Sequence, residues 1–214
     1  MKTSSNEGES LLMWMMSTVA AIVVVWAFGT QTAAAQQKKK IDLRTKEGVA
    51  SVKGQWKYHD VKIVEVEGIG PDGKPNKTYN IEPRAEGKDF DDSKWEAIAP
   101  ETLKDRRAGG QVCFCWYRIK VTLPPDVAGK TVFFQTTVDD YGEVWVNGML
   151  PRTPGQTGEA IVSGFNTPNR VELKDPRPGK VYQIAVFGIN GPISAAPTNW
   201  IFLGDTFLDI VDKK

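Results

Sequence analysis

Residues 116–151 read WYRIKVTLPPDVAGKTVFFQTTVDDYGEVWVNGMLP, and this stretch decides the fold. Every second residue from Ile119 to Leu123 is apolar and the residues between are polar, which is the pattern of a strand with one buried face. Further along, Asn147-Gly148 favours a type I′ hairpin turn, because both residues tolerate a positive φ. The stretch therefore predicts short antiparallel strands joined by tight turns.

Similar runs of β-branched and aromatic residues, separated by turn residues, continue on both sides. Further strands are predicted at residues 131–138, 143–147, 181–189 and 200–211. Residues 54–82 predict a hairpin around the turn-forming sequence PDGKPNKT. After residue 28, no run of ten or more residues has a clear helical period. Residues 54–214 are therefore predicted to form an all-β sandwich.

Four short motifs are informative when they are taken together. They are Phe90–Trp95 (FDDSKW), Trp116–Arg118 (WYR), Val138–Asp139 (VD) and Glu143–Gly148 (EVWVNG). They resemble the motifs of galactose-binding-like jelly-roll domains, which occur as the sugar-binding domain of β-galactosidase- and β-glucuronidase-type glycoside hydrolases. The resemblance covers about residues 54–211. It implies a jelly-roll β-sandwich and, as its activity, carbohydrate binding.

The composition argues against several classes of function. The chain has 27 Lys and Arg and 26 Asp and Glu, and residues 41–214 have a net charge of −1, so we expect no nucleic acid partner. One His and two Cys are too few for a closed zinc site. Cys113 and Cys115 lie on one face of a predicted strand and are expected to be packed free thiols rather than a redox or metal pair. We therefore expect no enzyme: no catalytic residue, no metal and no cofactor.

Four residues are predicted to contact a ligand: Asp140, Tyr141, Trp145 and Asn147. Trp145 should face away from the core because its strand neighbours Val144 and Val146 are expected to face the core. An exposed tryptophan can stack on a sugar or anchor an interface. Asp139 and Asp140 are adjacent carboxylates that could bind calcium or act as an acid and a base. Adjacent strand residues point to opposite faces, however, which favours a role in the turn.

Residues 11–28 (LLMWMMSTVAAIVVVWAF) predict a single transmembrane helix. Eighteen residues at ~1.5 Å each span about 27 Å, close to the hydrocarbon thickness of a bilayer. Trp14 and Trp26 lie near its ends, where membrane interfaces favour tryptophan. The alternative is a secretory signal that is cleaved near Ala35. The predicted organisation is a tail at 1–10, the transmembrane or signal helix at 11–28, a polar tether at 29–53 and the sandwich at 54–214.

The side of the membrane is predicted from two opposing signals. Lys38–Lys40 follow the apolar segment and favour a cytoplasmic C-terminal domain. The signal-like junction at Ala33–Ala35 and the family resemblance favour export. We expect a membrane protein whose domain is periplasmic or extracytoplasmic.

Two functions are left open. The first is a non-catalytic accessory subunit, anchored in the lipid bilayer, whose sandwich docks on and stabilises a larger integral-membrane complex, for example a respiratory or photosynthetic one. It is motivated by the apolar helix, the short tether and a sandwich that lacks catalytic motifs. The second, implied by the resemblance, is a carbohydrate-binding module, secreted or membrane-tethered, that holds a glycan.

Overall fold

A computed structural model describes residues 38–151, 160–163, 167–191 and 198–213. Its regular elements in chain order are β1 (Lys39–Asp42), α1 (Lys46–Ser51), β2 (Trp56–Asp60), β3 (Lys62–Ile69), β4 (Pro75–Glu82), β5 (Glu96–Ile98), β6 (Arg107–Gly110), β7 (Cys113–Thr122), β8 (Lys130–Thr137), β9 (Tyr141–Val146), β10 (Ile161–Ser163), β11 (Pro168–Glu172), β12 (Val181–Asn190), β13 (Asn199–Ile201) and β14 (Phe207–Asp212). Two 3-10 turns occupy Pro100–Lys104 and Pro125–Val127.

Two antiparallel sheets form the body of the fold. One has the order β1-β14-β8-β11 and the other the order β10-β9-β12-β7-β2-β5. Phe134 and Leu208 of the first sheet lie in the same buried cluster as Tyr117 and Ile184 of the second. The sheets therefore pack face to face, and the predicted all-β sandwich is confirmed.

The N-terminal part of the sandwich begins earlier than predicted. Strand β1 pairs with β14, with Lys39 opposite Ile210, and Ile41 and Leu43 are buried. The structure therefore places residues 39–53, predicted to belong to a tether, within the domain. Strand β1 was not predicted because three consecutive lysines precede Ile41 and the strand has too few apolar residues to show an alternating pattern.

The predicted membrane localisation is contradicted. Among the residues that the structure describes, no helix is both long enough and apolar enough to span a bilayer. The predicted span at 11–28, with Trp14 and Trp26, lies outside the described residues.

Two further sequence predictions can be compared with the strands. The hairpin expected within 54–82 is present, since β3 and β4 pair from Lys62 opposite Glu82 to Ile69 opposite Pro75. The single strand expected at 200–211 is instead two strands, β13 and β14, in different sheets. A run of apolar residues alone does not show where a chain changes sheet.

The outer face of the six-stranded sheet carries a second apolar cluster. Its buried members are Val61, Ala85, Trp95, Trp116, Ala185 and Phe187. Residues 83–95 lie across this face, and the indole Nε1 of Trp116 donates to the carbonyl oxygen of Pro83 at 2.9 Å. This segment includes the FDDSKW motif. The motif therefore packs on the outer face of the sheet and is not itself a strand.

Arg118 fixes the covering segment to strand β7. Its side chain is fully buried, and its Nε donates to Asp92 Oδ2 at 2.8 Å. The remaining guanidinium donors reach the carbonyl oxygens of Ala85, Gly87 and Phe90. A planar group with several donors in fixed directions suits such a set of acceptors. Arg118 of the WYR motif therefore binds the segment that contains the FDDSKW motif. We call this set of contacts, between Arg118 and Asp92, Ala85, Gly87 and Phe90, the clamp.

Candidate functional site

Strand β9 sends alternate residues to opposite faces of the six-stranded sheet. Val144 and Val146 are buried between the two sheets. Tyr141, Glu143 and Trp145 are only partly buried and lie on the outer face. The predicted alternation along this strand is confirmed.

Glu143 holds the two aromatic side chains of this face. Its Oε1 accepts a hydrogen bond from the Tyr141 hydroxyl at 2.9 Å, and its Oε2 accepts one from the Trp145 indole at 3.0 Å. One carboxylate therefore fixes both rings on the outer face. The sequence analysis did not select Glu143, although its position two residues from each ring on a strand was the available signal.

An open depression of about 530 Å³ lies beside Tyr141 on this outer face. Its lining residues are Asp140, Tyr141, Phe187, Ile189 and Gly191. Phe187 and Ile189 come from the neighbouring strand β12. Two aromatic rings and an aliphatic side chain form an apolar wall, to which Asp140 adds a carboxyl group. Such a mixture of apolar surface with a few polar groups is typical of small-ligand sites.

The depression brings together two of the four residues predicted to contact a ligand, Asp140 and Tyr141. Trp145 lies on the same face of the sheet, but it packs against the outer-face cluster. Phe187 and Ile189 were missed. They lie in a strand that is apolar almost throughout, so its alternation does not reveal which residues face outwards.

Asn147 has a structural role at the opposite end of β9. It forms the predicted hairpin turn with Gly148, with φ angles of 52° and 80°. Its Oδ1 accepts a hydrogen bond from the backbone N–H of Gln183 at 2.9 Å. Ligand contact by Asn147 stays a prediction, and the turn alone is sufficient to explain this residue.

Asp139 and Asp140 interact directly, in contrast to the expectation that their side chains point to opposite faces. Burial of Asp139, together with the hydrogen bond and the negative charge of Asp140, raises the pKa of Asp139 to about 6. The positive charge of Arg106 acts in the opposite direction. The turn before β9 therefore carries a carboxyl pair that holds a proton in mildly acidic solution.

The raised pKa predicts a pH-dependent effect of Asp139→Asn on stability. The folded protein holds this proton more tightly than the unfolded chain, so the associated stabilisation is present below about pH 4 and is lost as the pH rises through about 6. An amide donates to Asp140 at every pH, as the protonated acid does. The free energy of unfolding of Asp139→Asn, measured relative to that of wild type, should therefore be about 1 kcal/mol higher at about pH 8 than at about pH 4. This value is reduced for solvent screening. Thermal unfolding at both pH values measures this gain, and an equal difference at both would contradict the assignment.

The two cysteines are buried free thiols, as expected. Burial raises the pKa of the Cys113 thiol to about 11 and that of Cys115 well above its ordinary value. Both are therefore in the unreactive thiol form at neutral pH. Within the described part of the chain, no group of three or more His, Cys, Asp or Glu side chains is placed to hold a metal ion.

Comparison with known proteins identifies similar folds. No protein-family model and no curated protein sequence matches the chain. A calcium-binding mutant of Bacteroides uniformis β-glucuronidase 2 is similar with a TM-score of 0.52 and 17% identity, over 82% of this chain and 18% of the enzyme chain. A further structure of Bacteroides uniformis β-glucuronidase gives a TM-score of 0.51 and 17% identity over the same shares.

The low sequence identity and the partial coverage limit the similarity to the fold. At 17% identity it shows the fold alone, and this chain corresponds to 18% of the length of either enzyme chain. The sandwich therefore resembles the β-sandwich domain of β-glucuronidases, as the sequence motifs predicted.

Proposed function

We propose that this sandwich is a non-catalytic carbohydrate-binding module and that the depression beside Tyr141 holds the sugar. The observation that carries the proposal is the combination of an apolar wall, formed by Tyr141, Phe187 and Ile189, with the carboxyl group of Asp140. A pyranose ring has the complementary chemistry. Its C–H groups present an apolar face to an aromatic ring, and its hydroxyl groups donate hydrogen bonds around the edge.

The hydrogen bond between Tyr141 and Glu143 supports this role. Because the ring is held by a carboxylate that is also bonded to Trp145, little side-chain freedom is lost when a ligand packs on it. Preorganisation of this kind raises affinity without a new contact.

Two observations favour binding over hydrolysis. Glycosidases place two carboxyl groups about 5–10 Å apart across the scissile bond. Asp139 and Asp140 are instead in direct hydrogen-bond contact. The similarity to β-glucuronidases also extends over only 18% of those chains.

Replacing Tyr141 with Ala should weaken carbohydrate binding at least about tenfold, because Tyr141 is the more exposed of the two aromatic rings of the wall. Binding to a panel of neutral oligosaccharides, measured by isothermal titration calorimetry, gives the affinities of wild type and variant. Thermal unfolding of both proteins establishes that the variant is folded.

Tyr79→Ala is the matched control for this experiment. Tyr79 is 71% exposed, lies on the β3–β4 hairpin and does not line the depression. Its loss should leave the affinity unchanged. If Tyr141→Ala bound every oligosaccharide as tightly as wild type, the depression would not be the sugar site.

The other predicted function, docking of the sandwich on a larger protein complex as an accessory subunit, stays an untested prediction. The carbohydrate proposal has the advantage of a defined site with named contacts. Co-purification of the chain with a stoichiometric protein partner would favour docking instead.

A further inference from the structure

The depression beside Tyr141 is lined by one carboxyl group, and two further carboxyl groups are hydrogen-bonded to its lining residues. Asp140 lines it directly, and Asp139 is hydrogen-bonded to Asp140. Glu143 accepts the hydrogen bond of the Tyr141 hydroxyl. Asp140 is therefore the charged side chain among the described residues that line this depression, whereas Asp139 lines a separate depression together with Arg44.

These three carboxyl groups are not neutralised by ion pairs within the described part of the chain. None of the ion pairs there includes Asp139, Asp140 or Glu143. The guanidinium of Arg106, whose charge acts on Asp139, lies over the ring of Trp200 with 4.2 Å to the ring centre.

The chain that follows β12 supplies no cation either. Residues 191–199 read GPISAAPTN and contain no Lys or Arg. Gly191, the first of them, lines the depression. Among the described residues that line the apolar wall, the charged one is therefore the acidic Asp140.

We infer that this site selects uncharged pyranosides and rejects uronates, an inference that rests on the proposed function. A hydroxyl group of a neutral sugar donates a hydrogen bond to the Asp140 carboxylate, which is a charge-assisted contact. A uronate would instead bring its own carboxylate next to a like charge at the protein surface, where repulsion is stronger than in bulk water. The two solved structures described above are named β-glucuronidases, so the ligand inferred for this sandwich differs in charge from the acidic sugar in those names.

Two pairs of methyl glycosides test the inference because the members of each pair differ only at C6. They are methyl β-D-glucopyranoside with methyl β-D-glucuronide, and methyl β-D-galactopyranoside with methyl β-D-galacturonide. Ligand-observed NMR titrations with the full chain at neutral pH give the affinity of each. For wild type, the neutral member of at least one pair should bind at least about tenfold more tightly than its uronide.

Asp140→Asn should reduce this preference to less than about threefold, because it removes the nearest negative charge. Asp72→Asn is the matched control. It removes the same charge from the exposed tip of the β3–β4 hairpin, and it should leave the preference unchanged.

The possible outcomes separate the two claims. A uronide that binds wild type as tightly as its neutral partner would overturn the selectivity and leave carbohydrate binding intact. A preference that persists undiminished in Asp140→Asn would overturn the assignment to this carboxylate. If no glycoside of either pair bound, both the selectivity and the proposed function would fail.

Discussion

Replacing Arg118 with Met should lower the free energy of unfolding by about 3–5 kcal/mol. The guanidinium is fully buried, and it is bonded to Asp92 and to three backbone carbonyl oxygens of the covering segment. Methionine fills a similar length of the cavity but donates no hydrogen bond. The variant therefore leaves a partly buried carboxylate and several carbonyl groups without this partner, which is more costly than the loss of an exposed ion pair.

Urea unfolding followed by tryptophan fluorescence measures the effect. Arg118→Lys should fall between wild type and Arg118→Met, because an ammonium group keeps the charge but cannot reach four acceptors in the directions of a guanidinium. The matched control is Arg177→Met, which removes an exposed arginine paired with the exposed Asp175 and should change stability by less than about 1 kcal/mol. A loss of less than 1 kcal/mol in Arg118→Met would show that the clamp does not stabilise the fold.

Replacing Gly142 with Ala should cost about 3 kcal/mol and should also weaken ligand binding. A Cβ atom at this position would lie 2.6 Å from Val138 Cγ2 and 2.7 Å from Asn169 Oδ1. Asn169 is buried and donates to the carbonyl oxygens of Gly142 and Ala160, so it has no free direction in which to move. The strand must therefore shift, and Tyr141, the adjacent residue, shifts with it.

Gly109→Ala provides the control for this prediction, because a Cβ at Gly109 would meet no atom within 4 Å. That variant should be neutral or slightly more stable than wild type. Thermal unfolding gives the stability of both variants, and the oligosaccharide titrations give their affinity. If both variants unfolded at the wild-type temperature, the close packing described at Gly142 would be wrong.

The sequence was sufficient to predict β9 and the turn that follows it. Val144 and Val146 alternate with polar and aromatic residues, and Asn147-Gly148 requires two positive φ angles, so both features are local. Asp140 and Tyr141 lie in the same local stretch, at the turn that precedes Gly142.

The rest of the site depends on contacts between distant residues. Phe187 and Ile189 belong to the depression only because β12 lies next to β9 in the sheet. Strand β12 is buried along most of its ten residues, so its sequence does not distinguish an inner from an outer face. The clamp joins Arg118 to a carbonyl 33 residues away, a contact that no local pattern encodes.

Strand β14 has a consequence for how this protein is made. It lies between β1 and β8, so the last strand of the described chain holds the first strand in its sheet. At a synthesis rate of about 5–20 residues per second, β14 is synthesised roughly ten seconds or longer after its partner strand β1. Until then Ile41 and Leu43 have no complete core in which to be buried. The ribosome must therefore finish the whole domain before its four-stranded sheet can close.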